Sequence, residues 1–302
     1  MENKTLTVFT PAFNRGYCIE NCYKSLCRQT CKDFVWLVVD DGSSDNTAEL
    51  VRSWQGADNG FEIRYVYKEN GGMHTAHNTA YENIDTPLNV CIDSDDYMPD
   101  DAVEKIVSFW KENGSDEYAG IMALDILENG KVIGTELPTD RKSMHIYEFY
   151  AKGSGDKKFI YRTDVINSYP PYPVFEGEKY VSLAYKYRLC DEDYELLVMN
   201  EPVCIVEYRM DGSSTNMFRQ YLKNPKGFCF NRKQQMIYEH SRKNVFMACV
   251  HYVAESVICK NIHFLKESPR KLCTLAALPF GIALYFYIRL KSRGYMKVEG
   301  IG

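Results

Sequence analysis

The part of the sequence best suited to chemistry is a run of acidic residues, Asp93-Ser94-Asp95-Asp96. It directly follows an apolar run, Leu88 to Ile92, that predicts a buried strand. If the chain stays extended here, the carboxylates of Asp93 and Asp95 fall on the same side. Mg²⁺ and Mn²⁺ take oxygen ligands and keep positions open for phosphate and water, so such a strand end can hold either ion. A divalent cation would neutralise the charge that develops on a departing diphosphate.

Three other polar segments in the first hundred residues are candidates for ligand contact. The loop from Thr10 to Arg15 can offer backbone groups and the ring of Phe13 to a nucleobase. Asp40 or Asp41 can accept a hydrogen bond from that base, and Asn70-Gly71-Gly72 leaves room for a close approach of the backbone to a ligand. Each segment alone is more typical of a turn or a helix cap, but together they favour a binding site.

The elements that must position these residues alternate between strand and helix. Short, mostly apolar runs predict strands over residues 6–10, 34–39, 63–67 and 88–92, and the run 34–39 is apolar throughout. Apolar spacing and capping residues predict helices over residues 19–26, 46–54, 73–83 and 99–110. Alternation with short loops implies right-handed crossovers and a mainly parallel sheet. In such sheets the ligand crevice lies beyond the carboxyl ends of the strands.

The pattern changes in the second half of the chain. Further strands are predicted over residues 121–127, 131–134, 159–162, 196–199 and 204–208. This is typical of an α/β domain completed by mixed or antiparallel strands. From Asn216 onward the sequence is helical. We therefore predict an α/β sheet with helices on both faces, a catalytic domain of residues 1–215 and a helical extension of residues 216–302.

The C-terminal extension contains a long apolar stretch, Leu272 to Leu290, within the basic-bordered segment 270–293. It is just under the roughly 20 residues needed to span a bilayer. Pro279 and Gly281 weaken the case for spanning. A helix lying in the interface of an anionic membrane fits better, and a helix packed in the core or a true span are the alternatives.

Composition excludes some classes of function. The net charge is -5 and the pI is about 5.8, so the basic footprint of a nucleic-acid binder is absent. The start of the chain shows no apolar run, which predicts a cytoplasmic protein with reduced thiols, and the inner face of the plasma membrane is a further expected location. Cys18, Cys22, Cys27 and Cys31 are predicted to be core residues rather than zinc ligands, since a helix would split them between two faces.

In ordered blocks the sequence resembles the family-2 inverting glycosyltransferases of the GT-A fold. The matching blocks are Thr7 to Arg15, Ser25 to Thr30, Val38 to Thr47, Asn70 to Asn78, and Asp93 to Asp100. One departure is His77, where the family often has arginine, and this puts a phosphate contact at that point in question.

The resemblance implies a UDP-type donor held by Thr10, Phe13 and Asp41, with Asp93 at the sugar nucleotide and Asp95 on the metal. The metal would be Mg²⁺ or Mn²⁺. The complete set of expected donor-binding residues is Thr10, Pro11, Phe13, Arg15, Asp41, Asn70, Gly72, Asn78, Asp93 and Ser94.

The second half of the family is less regular and usually carries a Glu-Asp pair whose acid acts as the base. Here the corresponding stretch is Phe175 to Lys179. We expect Glu178 to be the base, with Glu176 as the second candidate. Tyr208 to Ser214 resembles the family's flexible loop that closes over the diphosphate.

The sequence therefore predicts inverting transfer of a sugar from a nucleotide-sugar donor to a glycan or lipid-linked acceptor, in the synthesis of a bacterial cell-surface polysaccharide. Two alternatives remain open. One is a transferase acting on a polyprenyl phosphate, and the other is a sugar-nucleotide binder without catalysis.

Overall fold

The computed structural model describes residues 4–207 and 217–292, which form two compact units. The first unit contains residues 4–171 and 186–207. The second contains residues 172–185 and 217–292. The sequence predicted a single division at residue 215, whereas the segment 172–185 also groups with the C-terminal helices.

Eight strands form one sheet in the described part of the first unit. They are β1 (Leu6–Ala12), β2 (Phe34–Asp40), β3 (Glu62–Tyr67), β4 (Leu88–Cys91), β5 (Tyr118–Ile126), β6 (Ser143–Met144), β7 (Lys157–Arg162) and β8 (Glu195–Ile205). The helices are α1 (Ile19–Cys27), α2 (Thr47–Gln55), α3 (Met73–Asn83), α4 (Ala102–Asn113), α5 (Ile146–Lys152), α6 (Thr163–Ser168) and α7 (Ala184–Asp193), whose first two residues group with the second unit.

The strand order is β3-β2-β1-β4-β7-β5-β8-β6. β1 pairs in parallel with β2 and β4, and β2 pairs in parallel with β3. β7 runs antiparallel to β4 and β5, and β6 runs antiparallel to β8. The predicted α/β fold, with a parallel first half and a mixed second half, is confirmed. Because β1 lies between β2 and β4, the carboxyl ends of these three strands open on one edge of the sheet.

The central parallel strands β1 and β2 are buried along their whole length, as their largely apolar sequences require. Every residue of β1 and β2 is buried. Trp36 and Val38 of β2 share a core cluster with Ile19, Cys22 and Leu26 of α1. These three residues are the helix face that the apolar spacing predicted. Cover on both faces of the sheet makes the carboxyl edge the accessible part of these strands.

Three predictions about local structure need correction. Residues 131–134 do not form a strand, because only Val132 bridges back to Ile126 across the turn. The two strands predicted after residue 195 are one strand, β8, whose register against β5 shifts at irregularities. Cys27 is exposed rather than part of the core.

The second unit consists mainly of helices in its described part. They are α8 (Met217–Lys223), α9 (Pro225–Tyr238), α10 (Arg242–Ile258), α11 (Phe264–Glu267) and α12 (Lys271–Lys291). Its core contains Cys229 and Met236 of α9, Tyr252 of α10 and Ala277 of α12. The predicted helical C-terminal region is confirmed.

Candidate functional site

The acidic segment forms a tight turn at the end of β4. The N–H of Asp96 donates to the carbonyl oxygen of Asp93 at 3.0 Å, so the extended conformation assumed from the sequence is wrong. Burial nevertheless alternates, since Ser94 and Asp96 are only 4% and 6% exposed while Asp93 and Asp95 keep part of their surface. The two expected ligand carboxylates are therefore the ones that the turn leaves partly exposed.

A half-buried cation lies near these carboxylates. Burial raises the pKa of Asp93, with a further contribution from the charge of Asp95, and burial raises the pKa of Asp96 to about 7. Lys158 of β7 opposes both shifts. Burial alone would lower the pKa of Lys158, but attraction to Asp125, 3.8 Å from Nζ, and to the acidic turn raises it well above its ordinary value. No sequence motif marks Lys158, because the contact depends on the antiparallel pairing of β7 with β4.

The end of α1 holds the chain that follows the acidic turn. Ser25 Oγ accepts the N–H of Met98 at 3.2 Å. Gln29 Oε1 accepts the N–H of Val103 at 3.0 Å, while Gln29 Nε2 donates to the carbonyl of Pro99 at 2.7 Å. Gln29 is only 3% exposed, so these bonds are sheltered from water. The block Ser25 to Thr30 is thus explained as the support of the acidic turn.

The loops after β1 and β2 are joined by hydrogen bonds. The N–H of Asn14 donates to Ser43 Oγ at 2.9 Å, and Asn14 Oδ1 accepts the N–H of Ser44 at 2.8 Å. The N–H of Arg15 donates to Thr47 Oγ1 at 3.0 Å. These bonds hold the two loops as one surface at the carboxyl edge.

Two side chains of the first loop are among the expected donor contacts, Phe13 and Arg15. Phe13 is 48% exposed and can stack on a planar base. Arg15 is near the acidic turn. Burial lowers the pKa of Arg15, but the charge of Asp95 is the largest of the effects that together raise it. The first loop and the acidic turn, 80 residues apart in sequence, are thereby brought together.

Thr10 and Pro11 are not in that surface. β1 continues two residues past the predicted end, so Thr10 and Pro11 lie inside a fully buried strand. Thr10 Oγ1 accepts a hydrogen bond from Trp36 Nε1 at 3.0 Å. The hydroxyl of Thr10 therefore belongs to the core, and a contact from Thr10 to a donor stays a prediction.

Asp41 organises the next loop. Its Oδ1 accepts hydrogen bonds from Lys68 Nζ at 2.6 Å and the N–H of Gly71 at 2.9 Å, and its Oδ2 accepts the N–H of Gly72 at 2.7 Å. Asn70 Nδ2 donates to the carbonyl of Asp41 at 2.8 Å. An ionised carboxylate offers about four acceptor positions, so one of them is left on Oδ2. A contact from Asp41 to a base stays a prediction.

Asp40 is the weaker candidate of the acidic pair. Its two carboxylate oxygens accept hydrogen bonds from the N–H of Ser43 at 2.7 Å and from Tyr65 Oη at 2.6 Å.

Gly42 has a φ of 81°, and a Cβ there would lie 2.7 Å from the backbone nitrogen of Asn70. Glycine is required at this position because the two loops touch.

The histidines of α3 are neutral. His77 is fully buried and meets the rings of Phe9 and Tyr81 edge-on at 5.0 and 5.9 Å. Burial lowers the pKa of His77 to about 3, so this side chain does not supply the positive charge of the family's arginine. Asn78, the next residue, is half-buried on the same helix.

His74 provides a test of this buried environment. It is 1% exposed, and burial lowers its pKa from 6.5 to about 4. Below pH 6.5 the unfolded chain therefore binds a proton that the folded chain does not, and stability is lost as pH falls towards 4. Between pH 6.5 and pH 4.5, we expect the free energy of unfolding to fall by about 2 kcal/mol less in His74→Leu than in the wild type. Urea unfolding at both pH values measures this, and equal losses in variant and wild type would contradict it.

Asp93 and Asp95 suit a divalent cation through their chemistry. The described contact of Asp93 with a side chain is weak, a thiol–carboxylate approach of 3.8 Å from Cys91. Within residues 4–207 and 217–292, no group of three or more His, Cys, Asp and Glu side chains is arranged to hold a metal. Sites for Mg²⁺ commonly use one or two carboxylates and complete the shell with substrate phosphates and water. Burial and the charge of Asp95 raise the pKa of Asp93, and a cation would favour its ionised form again.

The expected bases lie in the second unit. Glu178 is 9% exposed, and its two carboxylate oxygens accept the N–H groups of Lys226 and Gly227 at 2.9 and 2.8 Å. It therefore caps the first turn of α9. Glu176 is exposed. The loop Tyr208 to Ser214, expected to cover the diphosphate, lies outside the described residues.

A cavity of about 920 Å³ lies at the opposite edge of the sheet, near the amino ends of the strands. Its arginines are already paired: Arg64 with Glu62 and Asp85, and Arg162 with Asp164. Since its charges are satisfied internally, we do not assign the chemistry to it.

Comparison with known proteins identifies the family. The model described as glycosyl transferase family 2 matches residues 7–166, more than half of the chain. The chain belongs to glycosyltransferase family 2. The match includes the joined loops, the acidic turn and Lys158.

This glycosyltransferase shares segments with larger curated relatives. It is 33% identical over 101 residues to glycosyltransferase GlyA of Streptococcus pneumoniae, covering 33% of this chain and 14% of that protein. It is 35% identical over 99 residues to chondroitin synthase of Pasteurella multocida, covering 33% and 10%. It is 28% identical over 121 residues to the poly(ribitol-phosphate) beta-N-acetylglucosaminyltransferase TarP of Staphylococcus aureus, covering 39% and 36%. The chain thus spans between a tenth and about a third of the length of these relatives.

Solved structures confirm the GT-A-like fold of this glycosyltransferase. Residues 1–349 of S. aureus TarS, in complex with UDP-GlcNAc, superpose with a TM-score of 0.59 at 16% identity, covering 91% of this chain and 80% of that one. The mannosyltransferase PcManGT of Pyrobaculum calidifontis, in complex with GDP-Man and Mn²⁺, gives a TM-score of 0.55 at 15% identity, covering 97% and 76%.

Proposed function

We propose that this chain is a metal-dependent, inverting glycosyltransferase that uses a UDP-sugar donor and a glycan or lipid-linked acceptor. The observation that carries the proposal is the meeting of three segments at one edge of the sheet. The loop after β1, the loop after β2 and the acidic turn after β4 lie together, and the effect of Asp95 on the pKa of Arg15 connects the first with the last.

The chain's own residues have separate tasks in this proposal. Phe13, exposed beside the joined loops, stacks on the uracil, and the remaining acceptor position of Asp41 takes a base N–H. Arg15 lies near the acidic turn, where its charge favours a diphosphate. Asp93 and Asp95 would hold Mg²⁺ or Mn²⁺, which when bound supplies neutralising charge to the departing nucleoside diphosphate.

Inversion in one displacement also requires a base for the acceptor hydroxyl. The resemblance implies that this base is one of the acids of residues 175–179. We rank Glu176 above Glu178, because both oxygens of Glu178 already accept backbone N–H groups. A lost cap would also destabilise α9, so activity and stability must be measured separately for these residues.

The product class is proposed from the relatives. The names of chondroitin synthase and of the poly(ribitol-phosphate) beta-N-acetylglucosaminyltransferase TarP refer to polymers. We infer a related role in cell-surface polysaccharide synthesis on the cytoplasmic side of the membrane. The acceptor sugar and the linkage are not part of this proposal.

Thermal unfolding with nucleotides tests the proposal. We expect UDP together with Mn²⁺ to raise the Tm by several degrees, since a ligand at a hundred times its Kd stabilises by about 2.7 kcal/mol. Neither component alone should do so to the same extent. If no nucleoside diphosphate gives a metal-dependent shift, the proposed site is refuted. Slow metal-dependent hydrolysis of the UDP-sugar would exclude a binder without catalysis.

A polyprenyl phosphate remains the alternative acceptor, and one observation favours it. A phosphate oxygen is already ionised and needs no strong base, which agrees with the capping role of Glu178. Product analysis with a short polyprenyl phosphate and with an oligosaccharide in parallel separates the two acceptors.

A further inference from the structure

The helix α12 has two different faces. One face packs on α10 and contains four buried residues, Thr274, Ala277, Gly281 and Ile288. A Cβ on Gly281 would lie 2.4 Å from Cβ of Val253, so glycine lets the two helices approach closely. This side of α12 is therefore fixed to the second unit.

The opposite face is apolar and uncovered. Its large exposed side chains are Leu272 (84%), Leu275 (50%), Phe280 (57%), Ile282 (44%), Phe286 (59%), Tyr287 (47%) and Leu290 (55%). Ala276, Pro279 and Ala283 are also exposed between them. Spacings of three and four residues place this set along one side of the helix. A continuous apolar face of this length indicates an interaction surface rather than scattered exposure.

The charges around this face have one sign. Lys271 precedes it, and Arg289 and Lys291 follow it, whereas no acidic residue occurs between Ser268 and Ser292. At its start, Lys266 and Lys271 border an apolar hollow of about 440 Å³ formed with Leu265, Leu272 and Leu275. Cations at both ends of an apolar face complement a surface that is apolar within and anionic at its boundary.

We propose that the exposed face of α12 docks in the plane of an anionic lipid bilayer. Docking buries Leu272 to Leu290 at the level of the headgroups and brings the terminal lysines and arginines to the lipid phosphates. By length and composition α12 is the one helix in the described part of the chain that could cross a membrane. Crossing would require it to leave α10, and the close contact at Gly281 opposes this. In-plane docking keeps that packing intact.

Sedimentation of the full-length protein with vesicles tests the proposal. We expect binding to vesicles of phosphatidylcholine that contain about 30% phosphatidylglycerol, which gives them a clearly negative surface. Binding to vesicles of phosphatidylcholine alone should be weak, and added salt should reduce the difference between the two. Leu272→Gln/Phe286→Gln should lower the vesicle-bound fraction relative to free protein at least about tenfold. Both side chains are exposed in the free protein and would be buried in lipid after docking. Lys271→Gln/Lys291→Gln should lower it about tenfold on the anionic vesicles only.

Matched variants keep the result specific. Val174→Gln/Met247→Gln changes two other exposed apolar side chains of the second unit, and Lys131→Gln/Lys152→Gln changes two exposed lysines of the first. Both should bind like the wild type. Deleting α12 is not a suitable variant, since it would uncover the buried side of α10. The vesicle assay contains no sugar donor, so its result does not depend on the proposed function. The UDP-dependent Tm shift, measured on the same variants, shows whether the proposed donor site fails independently of membrane docking.

Three results would overturn the proposal. The first is wild-type protein that does not sediment with anionic vesicles. The second is a Leu272→Gln/Phe286→Gln protein that binds vesicles normally but changes from dimer to monomer, which would make the face a contact between copies. The third is wild-type protein in membranes that resists extraction by alkaline carbonate, which would mean that α12 spans the bilayer.

Discussion

Asp95→Asn should lower sugar transfer by at least about 10³-fold while the protein stays folded. The substitution keeps the shape of the side chain but removes the charge that would hold the cation. The stabilisation of the departing diphosphate then falls by several kcal/mol, at about 1.4 kcal/mol for each tenfold in rate. Asp95 is partly exposed, and none of the described hydrogen bonds of the turn depends on its side chain. Initial rates at saturating Mn²⁺, with the Tm of the apo protein, measure the effect.

Asp101→Asn is the control for this variant. Asp101 lies at the start of α4, six residues further along, and its carboxylate is about half exposed and pairs with Lys105. Loss of such an exposed pair costs little. Asp101→Asn should therefore transfer sugar at the wild-type rate and retain the Tm shift with UDP and Mn²⁺. Near-normal transfer by Asp95→Asn would remove Asp95 from the metal site.

The first half of the fold was predictable because its signals are local. Short apolar runs bounded by turn residues are typical of strands covered on both faces, and polar residues after them mark the ends of those strands. The parallel order follows from short crossovers. The position of the acidic turn beside the first loop could thus be predicted without knowledge of any contact. The prediction divided the long β8 in two because Asn200 to Pro202 interrupts the apolar pattern, whereas the pairing with β5 shifts register after Val198 and resumes at Pro202.

The roles of individual side chains were harder to predict, since they depend on small local details. Thr10 is a core residue because β1 extends to Ala12, a difference of two residues. The carboxylate of Asp41 already accepts hydrogen bonds from Lys68 and the N–H of Gly71. The sequence alone does not show that these segments are in contact. Lys158 comes from a strand whose antiparallel pairing places it near the acidic turn. Burial and long-range pairing decide all three cases.

Glu178→Gln should mainly lower stability, whereas Glu176→Gln should mainly lower the rate of sugar transfer. In Glu178→Gln, one of the two oxygens that accept the N–H groups of Lys226 and Gly227 becomes an NH₂ group, so a buried donor loses its partner. We expect a cost of about 1–3 kcal/mol in stability, seen as a lower urea midpoint. If this cap is its whole role, transfer per folded molecule stays near the wild-type value.

In Glu176→Gln, stability should not change because the side chain is exposed. If Glu176 is the base, transfer falls by about 10²–10⁴-fold with UDP and metal binding unaltered. Transfer rates corrected for the folded fraction, beside donor binding, distinguish the two residues. A large loss of transfer in Glu178→Gln without loss of stability would return the base to Glu178. Normal transfer in both variants would remove the carboxylate base altogether, and an acceptor that is already ionised, such as a polyprenyl phosphate, would then account for the reaction.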